Sequence, residues 1–284
     1  MESPIVTLTT DWGYRDYFAG MVKGRLYSTI PNVRVVDITH GLEPFLLARS
    51  IHVVRYACMG FPAGTVHIID TTAPHNDSNP FIVVEHNSQY YICMDNGLPC
   101  AVFGGDASRA VIVAAEAYAA TDSHTFAAYD IYCPLAEILA RGGRLEDIGS
   151  PLEKFCPYTP NLPVYAKDKD HLPQYGKDAL KLSVAYIDDY GNATLNITYK
   201  EFERIRAERP FEMLIRENSL TEVVPNYSFA KKAGNGRGAL LLTVSATGHL
   251  QLAMRLYSAQ QYFGLREQDS ITVLFPTIQP PITP

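Results

Sequence analysis

A β-branched run at residues 5–9 gives way to a polar turn at 11–15. The apolar spacing that follows predicts a helix over 16–30, stopped by Pro31. Residues 33–38 then read as a buried strand. Pro44 suits the first turn of a helix whose apolar residues Leu47, Ile51, Val54 and Cys58 recur every three or four positions, and 66–70 returns to a strand pattern. Strand and helix patterns that alternate in this way predict an α/β architecture. Residues 81–85 and 89–94 flank His86-Asn87-Ser88 as a hairpin would, so the expected sheet is mixed rather than purely parallel. Residues 111–114 add a strand. The spacing of Ile131, Leu135, Ile138 and Leu139 predicts a helix over 130–141 that ends at Gly142-Gly143.

The pattern changes after residue 155, where Pro157, Pro160, Pro163 and Pro173 punctuate a stretch rich in charge and tyrosine. Short apolar runs follow at 180–187, 193–197, 211–215, 239–244 and 271–275, with helical patterns only at 201–206 and 256–263. The expected organisation is an N-terminal α/β domain, sandwich-like with a mixed sheet, over 1–160. A linker over 161–178, a smaller C-terminal β-barrel-like domain over 179–276 and a proline-rich tail over 277–284 complete it.

A chain of 284 residues that is 47% hydrophobic can bury two such cores. Its net charge of −6 supplies no basic field, so a small molecule is the expected partner and nucleic acid is not. The opening residues carry no basic stretch before an apolar run, and no apolar run approaches the roughly 20 residues of a membrane span, so a cytoplasmic protein is expected. Five cysteines without CxxC spacing argue against a disulfide framework or a zinc site, and no metal or other cofactor is expected.

Candidate chemistry sits where strands end, which is where an α/β sheet presents binding groups. In Thr10-Asp11-Trp12-Gly13-Tyr14-Arg15-Asp16, carboxylates could accept hydrogen bonds from a ribose diol, or Asp16 could simply cap the helix. His40 and Phe45 follow the second strand, the first as an acid/base group or a hydrogen-bonded core histidine, the second as a stacking or a core residue. Asp70 and His75, on a polar loop after the third strand, could pair as carboxylate and base, although an Asx-type turn accounts for Asp70 equally well. Asp95-Asn96-Gly97 reads as a tight turn. Asp188, Tyr190 and Asn192 offer carboxylate, aromatic face and amide within five residues, a set suited to an ammonium group and a purine or to a hairpin turn.

Taken in order, TDWGYRD, GMVKG, VDITHGLEP, FPAGTVHIID, MDNGL, TFAAYDIYCPLAEILARG, IDDYGN and SATGHLQLAMRLYSA resemble the S-adenosylmethionine (SAM) hydroxide adenosyltransferases, or SAM hydrolases, and the related chlorinases and fluorinases. The resemblance runs over nearly the whole chain. It implies an α/β domain followed by a β-barrel domain, and homotrimers that bind SAM between neighbouring subunits. It implies that Asp11 meets the ribose hydroxyls with Asp16 nearby, that Phe45 borders the sugar, and that Thr71 and Thr72 contact the ligand. Asp188 would meet the methionine ammonium group, while Tyr190 and Asn192 receive the adenine.

The implied reaction is displacement at the ribose C5′ by water or halide. Asp70 matches the aspartate that handles the water. The chain departs from the hydrolase pattern at other positions: 76–79 contains no arginine, Ala127 stands at the expected histidine, Tyr129 replaces an arginine, and Thr71-Thr72-Ala73-Pro74 replaces a glycine-rich turn. Ala246 and Arg255 also depart from the commoner serine and asparagine. His75 and His124 are the histidines in the two affected segments and become substitute candidates for the water-activating base. The expectation is therefore a SAM hydrolase that forms adenosine and L-methionine, with a non-catalytic SAM or adenosine binder and a halide adenosyltransferase as alternatives.

Overall fold

The structure, a computed structural model, describes residues 3–71, 79–105, 107, 109–118, 125–167, 178–229 and 237–275. It divides into two compact units, Met1–Thr159 and Pro160–Pro284.

In the first unit the strands are β1 (Ile5–Thr10), β2 (Arg34–Thr39), β3 (Val66–Asp70), β4 (Phe81–His86), β5 (Gln89–Met94), β6 (Ala110–Val113) and β7 (Gly149–Pro151). They form one sheet in the order β2-β1-β3-β5-β4-β6-β7. The pairs β1/β2, β1/β3 and β3/β5 are parallel and the remainder antiparallel, so the sheet is mixed. The β4–β5 hairpin turns on Asn87 and Ser88, both at positive φ, the geometry that matches the right-handed twist of the two strands.

The helices of this unit are α1 (Phe18–Thr29), α2 (Leu47–Val53), α3 (Leu98–Phe103) and α4 (Cys133–Ala140). Two of them join π-helical turns, α2 running on into Val54–Cys58 and α4 preceded by Ala128–Tyr132. Alternation along the strands divides the core. Val6, Leu8, Ile68, Val83 and Ile92 face α1 and α4, whereas Ile69, Ile82, Val84, Tyr91 and Cys93 face the opposite side with α2 and α3. Period-two strands between helices on both faces make the three layers of an α/β sandwich.

The second unit contains β8 (Val164–Ala166), β9 (Asp178–Ile187), β10 (Ala193–Thr198), β11 (Glu212–Ile215), β12 (Asn218–Leu220), β13 (Leu240–Val244), β14 (His249–Met254) and β15 (Ser270–Phe275), with helices α5 (Tyr199–Arg206) and α6 (Ala259–Phe263). The strands pair antiparallel in the order β12-β11-β15-β9-β10-β14-β13, and β8 adds to β9. Beyond β12, Val223 bridges to Leu242 of β13, and Val224 N donates to Leu242 O at 2.8 Å, which nearly closes the sheet into a barrel around Leu182, Val184, Leu195, Met213, Leu252 and Val273.

The segment read as a linker is partly ordered into the barrel, since β8 falls within it; its residues 168–177, and the tail from 277, lie outside the described residues. The helix expected over 256–263 begins only at Ala259. Leu256 adopts φ 53, Ser258 caps the helix by accepting from Gln261 N, and the preceding residues turn off the end of β14. Among the described residues no helix is long and apolar enough to cross a membrane.

Candidate functional site

In the first unit the parallel strands β2, β1, β3 and β5 all end on one edge of the sheet, and the chain leaves β1 for one neighbour and returns to the other. Such a reversal opens a crevice between the carboxyl ends of β1 and β3. Thr10 is paired with Asp70 in the register of these two strands, so the residues that follow β1 meet the end of β3 there. The crevice is a cleft of about 210 Å³ lined by Asp11, Trp12, Phe18, Asp70, Thr71, Thr125 and Phe126.

Trp12 Nε1 donates to Asp70 Oδ2 at 2.8 Å. Burial pushes the Asp70 carboxyl up to about 6; the Trp12 hydrogen bond opposes that shift and the Asp11 charge adds to it. Trp12 stacks on His40 with ring centroids 5.5 Å apart and meets Phe126 edge-on at 5.2 Å. His40 is buried, its Nδ1 lies 2.7 Å from Thr10 Oγ1, and burial lowers its pKa against the opposing pull of Asp37. It is therefore a neutral core histidine at pH 7 that backs Trp12, the second of the two roles its position suggested.

A second cleft of about 180 Å³ adjoins through Thr71, which lines both, and is bounded by Glu43, Phe45, Leu46, Leu47, Ser50, Asn79 and Asn96. Phe45 is 78% exposed at φ 68, a left-handed conformation that an L residue holds only against strain. The turn after β5 is tied down from beneath: Asp95 accepts Cys156 N on both carboxylate oxygens, at 3.0 and 2.9 Å, and Asn96 Oδ1 accepts Leu98 N at the start of α3.

In the second unit, β9 and β10 are joined by Asp188-Asp189-Tyr190-Gly191-Asn192. Asp188 Oδ1 accepts the backbone N–H of Tyr190 and of Asn192, at 3.0 and 2.9 Å, and Oδ2 accepts Asn192 Nδ2 at 2.9 Å. The carboxylate thus organises the turn, which leaves Tyr190 83% exposed above a cleft of about 510 Å³. Asn192, Tyr227, Ser228, Met254, Arg255, Leu256 and Tyr257 complete that cleft, whose aromatic faces and amide suit a flat heteroaromatic ring.

Residues 6–149 match the profile of the SAM hydroxide adenosyltransferase N-terminal domain, and residues 182–272 match that of the C-terminal domain. The chain belongs to the SAM hydroxide adenosyltransferase family. Two proteins named (R)-S-adenosyl-L-methionine hydrolase are similar to this family member. That of Methanocaldococcus jannaschii is 26% identical over 95% of this chain and 96% of its own length, and that of Salinispora tropica is 27% identical over 95% and 98%. The fold is shared with an uncharacterized conserved protein of Thermotoga maritima, at a TM-score of 0.78 and 23% identity over 95% of this chain and 99% of that one. It is also shared with a conserved hypothetical protein of Thermus thermophilus, at 0.65 and 21% over 97% and 100%.

In this family member Asp11, Asp70 and Thr71 come together in one cleft, Phe45 lies in the adjoining one, and Tyr190 and Asn192 share the second-unit cleft. Asp16 is exposed in the turn before α1, lines none of these clefts and does not cap the helix, whose N-cap position is Tyr17. Thr72, His75 and His124 lie outside the described residues. Ala127 and Tyr129 begin the π-helical region before α4, where the Arg25 guanidinium covers the Tyr129 ring and donates to its carbonyl. Sequence reasoning assigned no role to Trp12, Phe18 or Phe126, nor to Tyr227, Met254 and Tyr257. The signal available was the chain's single tryptophan placed directly after a strand.

Proposed function

We propose that this protein hydrolyses SAM to adenosine and L-methionine by displacement at the ribose C5′. The observation that carries this reading is that Asp11 and an Asp70 carboxyl raised to about 6 line one cleft, walled by Trp12, Phe18 and Phe126, at the β1/β3 crevice. Membership of the family and likeness to two proteins named SAM hydrolases support the choice of substrate.

In the proposed reaction the water oxygen bonds to C5′ while the C5′–S bond breaks, and its electron pair leaves with methionine as a neutral thioether. Positive charge moves from sulfur to the attacking oxygen. A carboxylate beside the water gains attraction as that charge develops, and with a pKa near 6 it is a stronger base than an ordinary aspartate, so Asp70 takes the proton and passes it to solvent. Asp11 accepts hydrogen bonds from the ribose diol, with Phe45 and Thr71 along the sugar. The Tyr190 and Asn192 cleft receives the adenine. Asp188, whose carboxylate holds that turn, is proposed to meet the ammonium group from the same position, and Asp16, Thr72, His75 and His124 are retained as candidates at their sequence positions. The working assembly is proposed to be a cytoplasmic homotrimer with sites between subunits, and no cofactor beyond SAM itself is proposed.

The deciding experiment incubates purified protein with SAM, with and without chloride, and identifies bound and released nucleosides by mass spectrometry. Adenosine and methionine in equal amounts are expected. 5′-Chloro-5′-deoxyadenosine would replace the hydrolase with a halide adenosyltransferase, and intact SAM recovered from the protein would leave a binder without turnover.

A further inference from the structure

We propose that Trp12 is a positioning residue for the Asp70 carboxylate: its indole N–H pins Oδ2 and leaves Oδ1 as the oxygen available to a water in the cleft. This rests on the hydrolase reading above, in which Asp70 takes the proton from the attacking water. A carboxylate free to rotate would share its lone pairs among several water positions, whereas one held through a single oxygen offers a fixed direction.

The indole is itself held on several sides. His40 stacks behind it at an interplanar angle of 16°, and Phe126 closes its edge. His40 is fixed in turn by Thr10 at Nδ1 and by the Tyr14 ring, which meets it edge-on at 5.6 Å. The backbone on either side of Trp12 is laced to the segment after β2: Gly13 N donates to His40 O at 2.6 Å, Leu42 N to Thr10 O at 3.3 Å, and His40 N to Tyr14 Oη at 3.0 Å. Gly13 sits at φ 74, the left-handed turn that brings the chain from Trp12 back toward His40. Three aromatic residues and the ends of two strands therefore set the direction of one N–H bond.

Among the described residues, the groups that bear on Asp70 are Trp12, the neighbouring Asp11 carboxylate and the Tyr132 hydroxyl from the π-helical turn before α4. Those that bear on Trp12 from the other side are His40 and, behind it, Asp37 with Lys23. Removal of the indole N–H leaves Asp70 subject to burial and to Asp11, both of which favour its protonated form.

Because Trp12 is the only tryptophan, its emission reports the Asp70 proton whether or not the protein turns over. Wild-type emission is expected to titrate with a midpoint near pH 6, and this component is expected to be absent in Asp70→Asn, leaving only the contribution of His40. In Trp12→Phe, which keeps an aromatic ring but loses the N–H, the acid limb of the kcat–pH profile should move up by about one pH unit. Plateau kcat should fall about tenfold, and the KM for SAM should change less than about twofold. A merely structural tryptophan would leave the acid limb where it is. Emission that titrates identically in wild type and Asp70→Asn, or an unmoved acid limb in Trp12→Phe, would overturn the proposal. If wild type releases no adenosine, the hydrolase reading fails by itself, and the comparison of the two emission titrations still decides whether Trp12 holds Asp70.

Discussion

Asp70 and His67 stand three residues apart on β3, and burial has inverted their usual order of titration, with the carboxyl raised to about 6 and the imidazole lowered to about 4. Both shifts cost stability at some pH. For Asp70 the folded pKa exceeds the unfolded one, so the folded form is favoured below about pH 4 and loses that advantage as pH rises through 6. At pH 7.5, Asp70→Asn should therefore unfold at higher urea, by about 1–2 kcal/mol, while adenosine release falls at least about a hundredfold. Lower stability in this variant would show that the charge is not a burden. Adenosine release in wild type should rise with pH through about 6, as the base form of Asp70 appears. For His67 the folded pKa lies below the unfolded one. The unfolded chain takes up a proton first, so stability is expected to drop by about 3 kcal/mol as pH falls from about 6.5 to 4. Urea titrations at pH 7.5 and 4.5 on wild type and His67→Gln measure this, and an equal drop in both would assign the acid sensitivity to other groups. His67 Nδ1 lies 2.7 Å from Thr7 Oγ1 and its ring stacks on Tyr91, which explains why a fully buried imidazole is tolerated in the sheet.

Among the elements, the β9–β10 turn shows how a site is built from local chemistry. Gly191 has φ 79, and a Cβ placed there would collide with Ser258 Oγ at the start of α6; Gln260 N also donates to Gly191 O. Gly191→Ala should lower the thermal midpoint of the second unit at a cost of about 1–3 kcal/mol and weaken nucleoside binding in the adjoining cleft. Unchanged calorimetric traces would mean that Ser258 and the turn move apart freely. Asp188→Ala removes the acceptor for Tyr190 N, Asn192 N and Asn192 Nδ2, so it should lose about 2 kcal/mol of stability as well as ligand affinity. Asp11→Ala should weaken SAM binding by about 1–3 kcal/mol in calorimetry. If the Asp11 and Asp188 variants both bound SAM as wild type does, the proposed placement of the ligand would be wrong.

On the scale of the whole molecule, the prediction is assembly: light scattering on purified protein is expected to report three copies of a 31.5 kDa chain. A strict monomer that binds SAM tightly would contradict the proposed placement of sites between subunits. Among the exposed apolar side chains of the first unit, Phe45 and Leu46 line the second cleft, and Tyr14 and Tyr17 lie close in sequence to Trp12 and Phe18 of the first.

What could be read from the chain alone was whatever depends on neighbours in sequence. Short apolar and β-branched runs located most strands and period-3.6 apolar spacing most helices, together with the hairpin at Asn87-Ser88 and the change to short strands after the prolines, because each of these patterns lies among neighbours in sequence. The ordered motifs carried the family. Strands β7, β8, β12 and β14 and helix α3 were not legible: the first three strands have three residues each, α3 has six, and in β14 Gln251 interrupts the apolar run. Tertiary structure alone decided which polar residues meet. Asp11 and Asp70 are separated by 59 positions yet share a cleft because β1 and β3 are adjacent in the sheet, and the Trp12 hydrogen bond to Asp70 and the stacking on His40 follow from the same adjacency. It also left Asp16 exposed on its turn, while Asp11, five residues earlier, lines the β1/β3 cleft. The physical reason is that burial and parallel pairing are set by contacts distant in the chain, and those contacts determine both the pKa of a carboxylate and the direction in which it can act.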